Sequence, residues 1–340
     1  MTGMRFTVDG WDPGYGAGLE LEGQLEESTA TVEVDVELPA SRWTPLGPTA
    51  GEPLPGALLF VDGVRRIEAR LWIDNEPAGE GPAAEATAAL CASYAAGVVC
   101  CCGQGAHLVA AELRRGLFSV APHASDISTR AGGYKAHHVT SKGASVPVMV
   151  ALSQSLQRRL AETEVIAAVD ARTAVDGHAV TGDGDLLIVD GPLRGRQHLP
   201  RVLGYIKSHR TTYLPQELNA LVAALAPGQR TPAFLMGTTW DRHSWYLRLP
   251  GAPGSPWAGV VRLECPADQP APEVTRLANL SQRCLVRFAS AEYKDSRAPQ
   301  NLYPIAGLER ELRRRLGDPR LLYRALREAS RPASAATPVK

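Results

Sequence analysis

The chain has 340 residues, of which 44% are apolar and 21% charged, a composition typical of a folded globular protein and unlike that of disordered or fibrous chains. Its 36 basic and 36 acidic residues cancel, so no net positive charge attracts nucleic acid over long range. No run of about 18 apolar residues is present, which excludes a membrane-spanning helix, and we expect no secretory signal because no basic segment precedes an apolar one.

The chain is predicted to have three regions. Residues 1–56 are rich in glycine and proline around one alternating stretch, Thr31 to Leu38, which predicts a half-exposed strand within an N-terminal extension. Residues 57–330 form the main domain. Residues 331–340 are mostly small residues and proline, which predicts a disordered tail.

One pattern occurs twice in the main domain: four apolar residues, an aspartate and a glycine, at Leu58–Gly63 and at Leu186–Gly191. Four consecutive apolar residues predict a strand that is buried on both faces, with Asp62 and Asp190 at the carboxyl ends of two such strands. Two neighbouring carboxylates repel each other unless a cation lies between them. The repeat therefore predicts a Mg²⁺ or Mn²⁺ site, and a simple Asp-Gly turn is the alternative.

Further strands are predicted after the first copy of this pattern. The alternation over Arg66–Ile73 predicts a second strand, joined to the first by a hairpin at Val64-Arg65. Ala95–Cys102 and His107–Leu113 predict a strand pair around a glycine-rich turn. The polar stretch Pro122–Gly143 shows no periodicity and predicts a long surface loop.

The six cysteines do not have the spacing of a zinc site. Three are consecutive, and neighbouring residues of a strand point to opposite faces, so all three cannot bind one metal. No Cys-x-x-Cys pair is present. We expect reduced, apolar core residues of a cytoplasmic protein at Cys91, Cys100, Cys101, Cys102, Cys265 and Cys284.

The stretch 146–171 has the strongest helical pattern, because leucines recur there every four residues, at Leu152, Leu156 and Leu160. The same ridge continues to Glu164, whereas Glu162 lies on a polar line of the helix. Glu164 is therefore predicted to point inward, where a carboxylate is costly unless a metal binds it. A shift of the ridge by one residue would expose Glu164 and leave Glu162 as the helix acid.

The rest of the chain alternates strands and helices. A strand is predicted at Leu199–Ser208 and a helix at Pro215–Leu225. Three strands and then three helices follow, predicted at Ala233–Gly237, Trp245–Leu249, Gly259–Glu264, Pro272–Phe288, Ile305–Leu316 and Pro319–Arg327.

This order of elements predicts an α/β fold with an RNase H-like mixed β-sheet flanked by helices and additional antiparallel strands. Acids gathered on such a sheet bind two divalent ions, which activate a water molecule and stabilise the leaving oxygen. A phosphodiester is the substrate class that needs this chemistry most. Lys207, in the strand after Asp190, is then a candidate cationic clamp on the phosphate, with an ordinary surface lysine as the alternative.

Contacts with a nucleic acid are predicted near the second aspartate. Arg194 and Arg196 leave the same strand end as Asp190 and are candidates for phosphate contacts, as is Arg248. Tyr205 and Tyr246 are candidates for stacking on the bases of a single strand, although aromatic residues of strands more commonly belong to a core.

Five segments, in this order along the chain, resemble the NurA-type nucleases. The resemblance covers nearly the whole chain from about residue 57 to 327. The five segments are Phe60-Val61-Asp62-Gly63, Leu187-Ile188-Val189-Asp190-Gly191-Pro192-Leu193, Gly204-Tyr205-Ile206-Lys207-Ser208, Trp245-Tyr246-Leu247-Arg248-Leu249 and Asn301-Leu302-Tyr303-Pro304-Ile305.

The resemblance implies a homodimer enclosing a DNA channel, with manganese-dependent 5′ to 3′ exonuclease and single-strand endonuclease activity. It also implies a role in DNA end processing and repair, beside a HerA-type hexameric ATPase. Asp62 and Asp190 match the metal-binding aspartates of the family, Glu164 is taken as its helix glutamate, and Lys207 matches its lysine. The cofactor implied is Mn²⁺ or Mg²⁺, as two ions.

One position departs from the family pattern. The resemblance implies a histidine a few residues after Tyr303-Pro304, and none is present, so Glu309 or His243 would replace it. The missing histidine favours a degenerate scaffold that binds DNA or a motor without cutting, whereas the intact Asp62 and Asp190 favour a nuclease. An RNA-directed nuclease of the same fold is a third possibility.

Overall fold

A computed structural model describes residues 30–49, 53–74, 86–140, 146–173, 184–209, 211–251 and 254–330, and the predicted tail at 331–340 lies outside them. The described strands are β1 Thr31–Glu33, β2 Ala57–Asp74, β3 Ala86–Cys102, β4 Gly105–Ser119, β5 Ile127–Thr129, β6 Gly132–His138, β7 Asp185–Asp190, β8 Val202–Ile206, β9 Phe234–Gly237, β10 Asp241–Arg248 and β11 Val260–Pro266. The described α-helices are α1 Val148–Thr173, α2 Gln216–Ala224, α3 Ala271–Leu285, α4 Tyr303–Arg315 and α5 Pro319–Ala329. Among the described residues, none of these helices is both long and apolar enough to cross a membrane.

The strands form one mixed sheet in the order β1-β9-β10-β11-β8-β7-β2-β3-β4-β6-β5. β7 pairs in parallel with both β2 and β8. From β8 outward to β1, every pairing is antiparallel. The predicted mixed α/β sheet with helices and additional antiparallel strands is therefore confirmed, as is the long helix, which is α1.

The chain divides into two compact units, each assembled from several stretches of sequence. Unit 1 comprises residues 1–61, 99–107 and 178–307, and unit 2 comprises residues 62–98, 108–177 and 308–340. Because the divisions fall inside β2, β3, β4 and α4, each of these elements contributes residues to both units.

Unit 1 has two buried apolar clusters. The larger packs the strand residues Phe60, Ile188 and Trp245 against α3 and the start of α4. The smaller includes Trp43 and Tyr246. Residues 30–49, predicted as an extension, are built into this unit, because β1 pairs with β9 and Leu46 bridges to Arg230.

A buried ion pair also ties residues 30–49 to unit 1. The Arg230 guanidinium donates to both Glu37 carboxylate oxygens at 2.8 Å and to the Asn279 side-chain oxygen. The side chains of Arg230 and Glu37 are 2% and 8% exposed, so the pair is held away from solvent. Its bidentate geometry fixes the approach of the N-terminal segment to β9.

In unit 2, α1 packs against β2 at Gly63, and the apolar cluster of the unit joins strand residues to Leu326 of α5. The predicted surface loop at 122–143 is wrong, because β5 and β6 form there and β6 pairs in parallel with β4. The Asp126 carboxylate accepts from the Ala136 backbone and pairs with Lys135 at 3.1 Å, which stabilises this short polar hairpin. Polar edge strands carry little periodicity, so the pattern did not predict them.

The predicted hairpin at 64–65 is also wrong, since β2 continues without interruption from Ala57 to Asp74. Gly63 is a packing residue and not a turn residue. A Cβ added there would lie 2.6 Å from Leu160 Cδ1 and 2.6 Å from Glu164 Oε1. The glycine therefore lets α1 approach β2 closely, and Asp62 lies inside a strand rather than at its end.

The buried side chain of His209 should make the stability of the protein depend on pH. Its ring lies 5.7 Å from that of Tyr246, Nε2 is 2.9 Å from the Val260 carbonyl oxygen, and burial lowers its pKa to about 4. The unfolded chain therefore binds more protons than the folded one between about pH 4 and 6.5. We expect the free energy of unfolding to fall by roughly 1–2 kcal/mol as pH drops through this window, since partial solvent contact reduces the full effect. Urea unfolding of wild type and His209→Phe from pH 4 to 7 measures it, and equal slopes in the two proteins would contradict it.

Candidate metal centre

The two copies of the apolar-Asp-Gly pattern are paired with each other residue for residue. In the parallel pair of β2 and β7, Leu58 aligns with Leu186 and the register continues to Val61 with Val189. Asp62 and Asp190 are the next residues of the two strands. Side chains at matched positions of neighbouring strands lie on the same face of a sheet, so the repeat itself directs both carboxylates to one place.

Three carboxylates meet at this place. One oxygen atom from each of Asp62, Asp190 and Glu309 lies within 4.8 Å of the other two. Asp62 and Glu309 are only 8% and 9% exposed. Three carboxylates held this close together with so little solvent form a set of oxygen ligands that suits a divalent cation.

Glu309 reaches the group from α4, which begins at the Tyr303-Pro304 pair. Gly97 of β3 has no side chain to block α4: a Cβ there would lie 3.1 Å from Leu308 Cδ1 and 3.2 Å from Leu312 Cδ2. Close packing of the helix on the strand thus positions Glu309. Of the two candidates for the missing histidine, the structure brings Glu309 to the aspartates.

His243 lies elsewhere, on β10. It is 7% exposed, burial lowers its pKa, and its ring lies beside the backbone of Ala267 and Gln269. The ring therefore packs against the chain just beyond β11. It is not one of the residues that meet Asp62 and Asp190.

Glu164 points inward from α1, as its place on the leucine ridge predicts. It is 5% exposed and its Oε1 packs against Gly63, the residue after Asp62. Glu162 is half exposed and pairs with Arg159 at 2.8 Å on the surface. Glu164 is thus the buried helix acid, although it is not among the three carboxylates that lie within 4.8 Å of one another.

Lys207 is held beside the aspartate of β7. Its Nζ donates to Asp190 Oδ2 at 2.6 Å and to Asn301 Oδ1 at 3.0 Å. Asn301 is fully buried, and its side-chain amide donates to Asp295 Oδ2 at 2.6 Å. Sequence reasoning did not single out Asn301 or Asp295, although Asn301 begins one of the segments that resemble the NurA-type nucleases.

The loop after Asp190 is fastened at two points. Gly191, with φ of +109°, donates to the Tyr205 carbonyl oxygen at 2.9 Å and ends β7 as predicted. Two residues later, Leu193 N donates to Glu264 Oε1 at 2.6 Å. Glu264 is fully buried and is paired with Arg242 and Arg262. No sequence signal singled out Glu264, because its role depends on strand β11 lying next to β8.

The predicted arginine contacts with DNA have different surroundings. Arg194 is exposed on the loop after Asp190. Arg196 is 8% exposed and donates to the Pro192 carbonyl oxygen at 2.9 Å. Arg248 donates to the carbonyl oxygens of Ala258 and Ala223 at 2.6 Å and 3.0 Å. Of the three, Arg194 has the surroundings of a phosphate contact.

The two predicted stacking tyrosines are core residues. Tyr205 is fully buried and its hydroxyl donates to the Gln300 carbonyl oxygen at 2.5 Å. Tyr246 is 1% exposed and packs with Phe234. Neither ring presents a face to solvent in this structure, so base stacking would require both side chains to move.

Comparison with known proteins agrees with the resemblance found in the sequence. A family model described as the NurA domain matches residues 147–314. The chain contains a NurA domain. The matched stretch runs from α1 to α4 and includes Glu164, Asp190, Lys207 and Glu309, whereas Asp62 precedes it.

No curated protein matches the chain. Among solved structures, the crystal structure of the NurA nuclease from Sulfolobus solfataricus is similar to it with a TM-score of 0.44 and 10% sequence identity. The alignment covers 84% of this chain and 88% of that one.

Proposed function

We propose that this chain is a divalent-metal-dependent deoxyribonuclease that hydrolyses phosphodiester bonds. The proposal depends on one observation above all: the carboxylates of Asp62, Asp190 and Glu309 converge within 4.8 Å. Residues 147–314, which supply two of these three acids, match the NurA domain.

The converging side chains fit Mn²⁺ or Mg²⁺. Every ligand offered is a carboxylate oxygen, the donor that hard divalent cations prefer. Asp62, Asp190 and Glu309 would hold the metal, as one or two ions, with Glu164 packed against Gly63, the residue after Asp62. When bound, such ions lower the pKa of an attacking water and stabilise the charge of the leaving oxygen.

The protein groups around the acids have separate tasks in this proposal. Lys207, fixed by Asn301, keeps a positive charge against Asp190 and is available to the phosphate when substrate arrives. Arg194 is exposed on the loop that Glu264 anchors, where it can contact a neighbouring phosphate. These positions orient a DNA strand across the acids.

The finer points of the proposal come from the family resemblance. They are 5′ to 3′ exonuclease and single-strand endonuclease activity in DNA end processing and repair, a homodimer, and a HerA-type hexameric ATPase as partner. A chain with zero formal charge does not attract DNA over long range, so delivery of the DNA by a motor suits its electrostatics.

The role of Glu164 is tested by a matched pair of variants on one helix. We expect Glu164→Gln to raise the Mn²⁺ concentration needed for half-maximal cleavage by roughly 10- to 100-fold, since supporting groups around metal ligands have effects of that size. Glu162→Gln, which alters an exposed acid two residues away, should leave that Mn²⁺ concentration unchanged. Titrating activity against Mn²⁺ concentration measures both, and equal behaviour of the two variants would remove Glu164 from the site.

The function as a whole is tested with purified full-length protein and linear DNA bearing free 5′ ends. We expect degradation that requires Mn²⁺ or Mg²⁺ and stops on chelation, with and without a HerA-type ATPase. Binding to the ATPase without any cleavage in either condition would support the scaffold alternative, which the missing histidine favours. Preferential cleavage of RNA would point to the third alternative.

A further inference from the structure

A second group of metal-binding side chains lies at the tip of the β3–β4 hairpin. One ligand atom from each of Cys100, Cys102 and His107 lies within 4.8 Å of the other two. The acidic site contains none of these residues. All three belong to unit 1, and the cysteines are free thiols.

Strand geometry explains why these three side chains meet. Cys100 and Cys102 are two residues apart on β3, so they point to the same face of the strand, whereas Cys101 points to the other. Residues 103–104 form the turn, and β4 returns with His107. The three consecutive cysteines cannot all bind one metal, but two of them can share a face with a histidine from the partner strand.

We propose that Cys100, Cys102 and His107 form a binding site for a single Zn²⁺ ion, distinct from the acidic site. Thiolate and imidazole are ligands that zinc prefers, whereas Mn²⁺ and Mg²⁺ prefer the carboxylates of the other site. With Zn–S distances of about 2.3 Å and tetrahedral angles, ligand atoms lie about 3.8 Å apart. The three ligand atoms of the hairpin lie within 4.8 Å of one another, so each separation exceeds that spacing by at most about 1 Å. Water completes the coordination, as in three-ligand zinc sites.

Cys101 differs from the two proposed cysteine ligands in its surroundings. It packs against the large apolar cluster of unit 1, as expected for a core cysteine. Cys102 and His107 are only partly buried, so an ion can enter from solvent. The sulfur of Cys102 lies 4.0 Å from the Gly105 carbonyl oxygen, beside the turn.

Two other uses of the cysteines fit the structure less well. A disulfide between residues two apart on an extended strand is unfavourable, because their Cβ atoms are held farther apart than the 3.5–4.5 Å of a typical disulfide. A reactive thiol is also disfavoured at Cys100, because its side chain is buried and only 1% exposed, whereas reactive cysteines are at least partly accessible to solvent.

The site would fasten the tip of a long hairpin. β3 and β4 span 17 and 15 residues, and the metal would link both strands next to their turn. We expect zinc to raise the Tm of the chain and to slow proteolysis at the 103–104 turn, whether or not the acidic site is intact.

The test uses the full chain carrying Asp190→Asn, so that the acidic site is impaired. Under reducing conditions, Co²⁺ serves as the optical probe because thiolate ligands produce an intense charge-transfer absorption that carboxylates do not. We expect one equivalent of Co²⁺ to produce this absorption and one equivalent of Zn²⁺ to abolish it. Cys102→Ala and His107→Gln should each weaken zinc affinity by at least about 100-fold, whereas Cys101→Ala should change it by less than about threefold.

A second measurement is independent of optical signals. Zinc should protect Cys102 from alkylation by iodoacetamide, read by mass spectrometry, and the His107→Gln variant should lose this protection. Cys102 and His107 lie near the surface, so their variants fold even if Cys100→Ala does not. The proposal is overturned if no thiolate absorption appears, or if zinc affinity survives in Cys102→Ala and His107→Gln as it does in Cys101→Ala.

Discussion

Replacing Asp190 with asparagine is expected to lower the rate of metal-dependent DNA cleavage by roughly a thousandfold. The change removes one of three converging negative charges and the carboxylate that Lys207 contacts at 2.6 Å. Metal-assisted stabilisation of a transition state is worth several kcal/mol, and each 1.36 kcal/mol corresponds to about a tenfold change in rate. Single-turnover degradation of end-labelled linear DNA in saturating Mn²⁺ is the measurement.

The matched control is Asp170→Asn, which changes an exposed aspartate of α1. It should cleave DNA at the wild-type rate. Asp190→Asn should still unfold in one cooperative transition and keep its binding to a HerA-type ATPase, so that loss of cleavage reflects chemistry and not unfolding. An Asp190→Asn protein that cleaves DNA like wild type would refute the proposed site, whereas the absence of cleavage in wild type itself would favour the scaffold.

Replacing Glu264 with glutamine is expected to destabilise the protein by about 3–5 kcal/mol, the typical cost of removing one member of a buried ion pair. Glu264 is fully buried, and its Oε2 accepts from Arg242 Nε at 3.2 Å and from Arg262 Nη1 at 3.0 Å. Glutamine preserves the shape but removes the charge that compensates two buried guanidinium groups. The variant also weakens the hydrogen bond from Leu193 N, which anchors the loop after Asp190.

Urea unfolding followed by circular dichroism measures this destabilisation. The control is Glu292→Gln at an exposed position, which should alter the free energy of unfolding by less than about 0.5 kcal/mol. We also expect Glu264→Gln to raise the KM for DNA more than it lowers kcat, since it displaces the loop with Arg194 and not the acids. If Glu264→Gln lowers the free energy of unfolding by less than about 1 kcal/mol, other groups must compensate the positive charges of Arg242 and Arg262.

The elements that the sequence predicted well are those whose own residues carry the signal. Helix α1 follows from leucines spaced four residues apart. The same ridge correctly predicted that Glu164 is buried. Strand β7 follows from four apolar residues and ends at Asp190, just before Gly191, whose positive φ suits glycine. In these cases the local pattern and the tertiary environment agree.

The first copy of the repeated hexapeptide shows where local signals mislead. Asp62-Gly63 has the same letters as Asp190-Gly191, yet β2 continues through it for another eleven residues, to Asp74. Gly63 is required by the close approach of Leu160 and Glu164, which are about 100 residues away in the sequence. No local pattern distinguishes a glycine that turns the chain from one that admits a helix.

The sequence by itself determined that two aspartates occupy equivalent positions after two matching apolar runs, and that a glutamate of the long helix faces inward. It also carried enough of the family pattern to predict the NurA domain, which the family match confirms. Only the tertiary structure decided that Glu309 joins Asp62 and Asp190, that Asn301 and Glu264 hold the surrounding groups, and that Cys100 and Cys102 meet His107. The physical reason is that strand pairing and helix packing bring together side chains far apart in sequence, and periodicity along a chain reports which face a residue occupies but not what it meets there.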